Sequence, residues 1–314
     1  MTGQPSILAI GGAHIDRRGV VAGPYRAGAS NPGTMREEVG GGAFNALRNA
    51  CKLGARGAIL SVRGGDLAGR MVEDAIRSTG IDDLSAVFLD RTTPSYTAIL
   101  EENGDLVSGF ADMSLYELAF DKQLRRHPFR NALSGCDGIL TDANLPAAAL
   151  ERLAASVDKP LFAIAISPAK VVRLTAILAS LSVLFLNRNE ANALAKLEVG
   201  ASNDDVAAAL TRAGLQRAVV TSGGDPLLVI ESGAWAALSP PLVRTVRDVT
   251  GAGDALAGVT MLRLLQGMDF HKAVRHGIAA ASLTIECDAV VADIDDARIA
   301  ARLAEFPEIS GDPT

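Results

Sequence analysis

Aromatic side chains make up only 4% of this 314-residue chain. A core short of large rings has to be filled by close packing of small residues, and the abundance of Ala and Gly suits helices lying tightly on a sheet. Cysteine is scarce too. Cys51, Cys136 and Cys287 are far apart, odd in number and without CxxC or metal-ligand spacing, so buried reduced thiols are expected rather than a disulfide framework. Basic residues are outnumbered, 30 Lys and Arg against 36 Asp and Glu for a net charge of −6. That balance argues against general nucleic-acid binding, which requires a basic face. No apolar stretch reaches the length of a membrane span, and no basic segment precedes an apolar run at the N-terminus. The expectation is a soluble, cytoplasmic protein with neither a membrane nor a nucleic-acid partner. The Gly-Lys-Ser/Thr of a P-loop is missing, and His14, His127, His271 and His276 show no metal spacing.

What remains is rhythm. Short apolar runs at 6–10, 58–62, 138–141, 161–166 and 183–186 alternate with helical patterns at 41–54, 67–78, 146–155, 171–181 and 190–196. Such alternation predicts an α/β fold: a doubly wound, mostly parallel sheet with helices on both faces. The length is compatible with one domain, 1–314, carrying an insertion. Two stretches break the pattern, a Gly- and Pro-rich segment near 14–38 and a strand pair at 93–112 turning at Asn103-Gly104. Together they predict a small β lid over the crevice at the strand ends, with a merely decorative hairpin as the alternative. Residues 310–314 read as a frayed end.

The chemistry concentrates in glycine turns. Asp248-Val249-Thr250-Gly251-Ala252-Gly253-Asp254 runs into an apolar helical stretch, 255–266. Unpaired N–H groups and the macrodipole make a helix start of this kind an anion site. A carboxylate at that mouth would repel an anion unless it removes a proton from the nucleophile attacking a bound phosphate, and an ordinary cap is the plainer alternative. Gly40-Gly41-Gly42 precedes Asn45, whose amide can donate to and accept from hydroxyls. Asp16, just past the first strand, can accept two hydrogen bonds from a vicinal diol or be a solvated loop acid. Asn187 and Glu190, at i and i+3 where a strand gives way to a helix, can share a Mg²⁺ shell through water or form a capping box. Thr221-Ser222-Gly223-Gly224 closes a further strand as a plausible nucleotide edge.

In order and spacing these segments resemble the ribokinase-like carbohydrate kinases, the phosphofructokinase-B family, over nearly the whole chain. Gly40-Gly41 with Asn45 is similar to the family's GGxxxN, Gly64 to Gly69 to its GxDxxG, Asn187 to Glu190 to its NxxE, and Asp248 to Asp254 to its DTxGAGD with Val249 in place of Thr. The resemblance implies transfer of the γ-phosphoryl group of ATP to an alcohol of a sugar or nucleoside. It makes Asp254 the base and the amides of Gly251, Ala252 and Gly253 the anion hole. Asn187, Thr221, Gly223, Gly224 and Thr250 would join Gly251 and Gly253 at the nucleotide, with Asn187 and Glu190 holding Mg²⁺ partly through water. It also implies K⁺ near the anion turn as an optional activator.

Lid details, Ser30-Asn31-Pro32-Gly33, Pro94-Ser95-Tyr96 and Ala111-Asp112-Met113, together with Asp142-Ala143-Asn144 at the next strand end, are most similar to the branch that phosphorylates the 5′-hydroxyl of pseudouridine. His14 departs from that branch, where Asn is expected. The implied acceptor contacts are Asp16, Ser30, Asn31, Gly41, Gly42, Asn45, Thr97, Asp112 and Asn144. Ribokinase, another sugar or nucleoside kinase, and a non-catalytic sugar or nucleotide sensor are the other readings. Lid strands that pair between subunits would make a homodimer.

Overall fold

The structure is a computed structural model and describes residues 3–307, so the tail at 310–314 lies outside it. The strands in chain order begin with β1 (Ser6–Ile10), β2 (His14–Val21), β3 (Gly33–Gly40), β4 (Arg56–Leu60) and β5 (Val62–Gly64). They continue with β6 (Asp82–Asp83), β7 (Ala86–Phe88), β8 (Ser95–Leu100), β9 (Leu106–Asp112) and β10 (Gly138–Asp142). The last are β11 (Leu161–Ile164), β12 (Val183–Asn187), β13 (Arg217–Ser222), β14 (Asp225–Glu231) and β15 (Ala234–Leu238).

Nine of these form one sheet in the order β15-β14-β13-β12-β11-β10-β1-β4-β6. Pairing is parallel from β13 through to β6, and only β14 and β15 run antiparallel at one edge. The apolar runs are continuous because both faces are covered. Leu8 and Ile10 of β1 join one core and Ile7 and Ala9 the other; Leu184 and Leu186 of β12 are likewise opposed to Val183 and Phe185. One face takes helices Gly42–Lys52, Leu67–Ser78, Ala252–Leu265, Phe270–Ile285 and Asp296–Leu303; the other takes Ser114–Gln123, His127–Gly135, Ala147–Ser156, Arg188–Ala195 and Asn203–Arg212. Ala252–Leu265 is apolar all round, since it packs on the sheet and on two neighbouring helices. A Cβ on its Gly258 would lie 2.0 Å from Ala46 O, so glycine sets how closely it meets Gly42–Lys52.

The lid is a second sheet of four strands in the order β3-β2-β8-β9, and its hairpin turns where expected, with Gly104 at φ 90°. Asp66 ties the main body to it. This side chain caps the helix Leu67–Ser78 through Gly69 N (2.8 Å) and also accepts Thr93 N (2.9 Å) at the lid's second entry.

Three sequence expectations need correction. The helix expected at 171–181 is a short α turn, Pro168–Val171, followed by 3₁₀ helix, Val172–Ser180. The strand expected at 161–166 stops at Ile164, and Ile166 sits at φ 72°, a costly conformation for a β-branched residue and one found where function overrides local preference. Of the three free cysteines only Cys136 is fully buried, while Cys51 and Cys287 are half-buried. Among the described residues no helix is long and apolar enough to cross a membrane.

Candidate active site

A cleft of about 560 Å³ opens where the central parallel strands end, beneath the lid. That is within the range of small-ligand sites. Its walls come from His14 and Asp16 on β2, from Gly41, Gly42 and Asn45 at a helix start, and from Asn144 beyond β10. Asn187 at the end of β12, Glu190, Thr221, Thr250, Gly253 and Asp254 complete the ring.

The helix Ala252–Leu265 starts at Gly251, in the left-handed region at φ 78°, and no side chain caps it. Its first turn therefore presents N–H groups and the positive end of the dipole to the cleft. One of the three amides expected to form the anion hole is turned elsewhere: Ala252 N closes on Val249 O at 3.4 Å. Asp254 follows in the same turn. Its Oδ2 accepts a hydrogen bond from Asn45 Nδ2 at 3.0 Å, and Arg48 donates to Asn45 Oδ1 at 3.4 Å. The guanidinium can only donate, so it fixes the amide with its NH₂ toward the carboxylate. Burial, chiefly, and then the like charges of Asp142, Asp16 and Glu190 push the Asp254 carboxyl up to about 7, against the Asn45 hydrogen bond. A carboxylate so placed accepts a proton readily near neutral pH.

The side of the cleft expected to take the acceptor is built on backbone. Gly41 has φ 112°, and a Cβ there would lie 2.3 Å from Gly12 O, so only glycine joins β3 to the helix at this point. Asp142, fully buried, accepts N–H bonds from Gly12 (2.9 Å), Ala43 (3.0 Å) and Asn144 (3.0 Å). One carboxylate thus holds together the end of β1, the glycine turn and the segment after β10. Asp16 is positioned by a relay. Tyr116 Oη accepts from Ala13 N (3.1 Å), which leaves its own proton for His14 Nδ1 at 3.1 Å. His14 Nε2 then donates to Asp16 Oδ1 at 3.3 Å. His14, in place of the expected Asn, is therefore part of the cleft wall. Asn144 Oδ1 receives Lys170 Nζ at 2.6 Å, while its Nδ2 is buried without a partner. Burial, above all, lowers the Lys170 ammonium from its ordinary range.

On the side expected to take the phosphates, Asn187 and Glu190 form a reciprocal capping box: Glu190 N to Asn187 Oδ1 at 2.9 Å and Asn187 N to Glu190 Oε2 at 2.7 Å. The two readings of this pair are compatible. The cap uses one oxygen of Glu190, and the side chain still lines the cleft, its carboxyl raised mainly by burial. No cluster of three His, Cys, Asp or Glu among the described residues could cage a metal. The donor set fits Mg²⁺ held mostly by phosphates and water, as this ion prefers.

Several expected contacts are elsewhere. Ser30 is exposed, and Asn31 spends its amide on its own loop, bonding Arg26 and Ala29. Thr97 fails by strand parity. Asp16 pairs with Tyr96 and Arg17 with Thr97, so Tyr96 lines the cleft and Thr97 takes the opposite face. Asp112 shifts in the same way: Ala111 lines the cleft, and Asp112 bonds Ser114 Oγ at 3.1 Å. Gly223 and Gly224 form the exposed turn between β13 and β14, outside the cleft wall, although Thr221 lies in it. Sequence reasoning passed over Lys170 and Tyr116, and it quoted Asp142 without foreseeing its role as a buried linker. Of these only Asp142 had a local signal, its place at a strand end.

The model of the pfkB family carbohydrate kinases matches residues 4–297. The chain belongs to that family. Among curated pfkB relatives, the pseudouridine kinase of Escherichia coli is 28% identical over 90% of this chain and 91% of its own. The ribokinase of Haemophilus influenzae is 27% identical over 78% and 80%. A carbohydrate kinase from Agrobacterium tumefaciens is 43% identical with a TM-score of 0.84, covering 97% of this chain and 98% of its own. The Arabidopsis thaliana ribokinase solved with ribose and ATP shares the fold, at TM-score 0.83 and 18% identity over 97% and 100% of the two chains. A pfkB kinase is a phosphotransferase acting on sugar or nucleoside hydroxyls, and the main sheet described above, with its helices, is the ribokinase-like fold.

Proposed function

We propose that the chain transfers the γ-phosphoryl group of ATP to the 5′-hydroxyl of a nucleoside, with pseudouridine as the acceptor. The observation that carries the proposal is the Asp254 carboxylate, held by Asn45 at the mouth of an uncapped helix and raised to about 7. The acceptor lies between Asp16 and the turn Gly41–Gly42, with its alcohol toward Asp254. As the oxygen attacks phosphorus, Asp254 takes its proton. The N–H groups of Gly251 and Gly253 stabilise charge on the transferring oxygens without having to reorganise. Mg²⁺, when bound, neutralises phosphate charge, held by Glu190 and Asn187 partly through water. Lid closure excludes water and limits loss of ATP to hydrolysis.

Similarity to the Escherichia coli pseudouridine kinase across nine-tenths of both chains supports a nucleoside acceptor. So does the unpartnered Asn144 Nδ2 beside Lys170, a pair of donors suited to base or sugar oxygens. Ribose is the second acceptor reading, favoured by the similarity to ribokinase. ADP release measured with pseudouridine, uridine, adenosine, ribose and fructose phosphates decides between them. Pseudouridine should exceed every other acceptor in kcat/KM by at least about tenfold. Preference for ribose would replace the proposal, and silence toward all acceptors would favour the sensor reading.

The lid supports a homodimer. Its outer face carries Met35 and Phe110, 56% and 69% exposed, around Gly19 and Ile99. Apolar side chains exposed together on one face are a candidate interface. Wild type should sediment as a dimer and Phe110→Glu as a monomer; a monomeric wild type would remove the proposal.

A further inference from the structure

On β2, His14 and Asp16 face the cleft, and Arg18, two residues on, shares their face. Its guanidinium spans 230 residues of sequence to the anion turn, donating from Nη1 to Asp248 Oδ2 at 2.5 Å and from Nη2 to Thr250 Oγ1. Asp248 in turn accepts Thr250 N at 2.9 Å, immediately before Gly251. A lid residue thus bridges two side chains that set the course of the backbone into the phosphoryl site.

Side chains beside this turn offer little to the K⁺ implied by the family resemblance. Val249 has no side-chain oxygen and is 65% exposed, Asp248 Oδ2 and the Thr250 hydroxyl accept from Arg18, and Asp248 Oδ1 accepts Thr250 N.

We infer that Arg18 is a positioning residue that latches the lid to the anion turn and supplies there, from the chain itself, the positive charge that a monovalent cation would bring. The inference rests on the kinase reading for its catalytic consequence, though not for the latch. With the lid down, the guanidinium orders Asp248 and Thr250, and through them the peptide leading to Gly251. When the lid lifts, both hydrogen bonds break and the turn loses that restraint. Closure over the acceptor and alignment of the phosphoryl-binding amides become one event. Coupling of this kind is worth a factor of about 5 to 150 between sites. A guanidinium is suited to it because it holds two acceptors in a fixed fork, which an ammonium does not.

Two measurements test it. In the ligand-free protein, Arg18→Ala should raise amide hydrogen exchange in the peptide His14–Val21 by about tenfold or more, with exchange in the central strands unchanged. Equal exchange in wild type and variant would overturn the latch, whatever the protein phosphorylates. With the preferred acceptor, Arg18→Ala should lose about ten- to a hundredfold in kcat and less in acceptor KM. Guanidinium chloride, well below denaturing concentration, should restore part of that kcat, whereas Arg18→Lys should remain impaired. Wild-type turnover should agree within about twofold in potassium and tetramethylammonium chloride. Strong activation of wild type by K⁺, or an Arg18→Ala kcat near that of wild type, would refute the role assigned to Arg18. Failure of every acceptor would instead count against the kinase reading, with the exchange experiment still deciding the latch.

Discussion

Asp254→Asn should bind both substrates and turn over at least about a hundredfold more slowly than wild type, the range lost with a general base. The amide is nearly isosteric and can keep the contact with Asn45 by presenting its oxygen to the Asn45 NH₂. What disappears is the ability to take the acceptor's proton. Wild-type kcat/KM should rise with pH and level off above about 7, where the carboxyl has ionised. The same shift predicts an opposite effect on stability. A carboxyl whose folded pKa lies above its unfolded value favours the native state most when protonated, so its contribution is lost as pH climbs from the unfolded value through about 7. Asp254→Asn should therefore melt above wild type at pH 8 and close to it at pH 4. A variant that is more stable yet inactive separates lost chemistry from misfolding. Near-normal turnover in Asp254→Asn would remove the base assignment and, with it, the main support for the proposed function.

Much of this site was legible because its parts are local. Gly251 to Asp254 and Asn187 to Glu190 each form a turn at a strand end or helix start, so spacing alone places them on the cleft side of the sheet. The core strands were legible as buried strands too, since continuous apolar runs such as Ile7–Ile10 suit a sheet covered on both faces. The acceptor wall was harder. Thr97 and Tyr96 differ by one position, and a one-residue shift in strand phase reverses the face each presents. No local pattern sets that phase in the lid, because its strands are partly exposed on both sides. Asp142 gathers three backbone amides from segments up to 130 residues apart, and Arg18 finds its partners 230 residues away. Contacts of that span follow from the assembled fold and leave no mark in spacing. Asn31 had the composition of a binding residue and instead stabilises its own turn, a common use of Asn in loops.

The anion turn yields a second large effect, from two glycines that the structure separates. A Cβ on Gly251 would fall 2.1 Å from Val290 O, and the residue's φ of 78° already disfavours a side chain. Gly251→Ala must push the turn away from the segment behind it, displacing the N–H groups it aims into the cleft. Turnover should drop by about a hundred- to a thousandfold, as on removal of an oxyanion-hole donor, and the melting temperature should fall as well. Gly253 lines the cleft, and its added Cβ would meet nothing within 4 Å. Gly253→Ala should therefore fold and melt like wild type while its methyl occupies the space kept for the transferring group. Its loss should appear in kcat and nucleotide KM, with the melting temperature held. If the two variants lost stability equally, the turn would be a structural device only. Inactivity of Gly253→Ala at full stability would mean that the open space beside this residue is where the phosphoryl group travels.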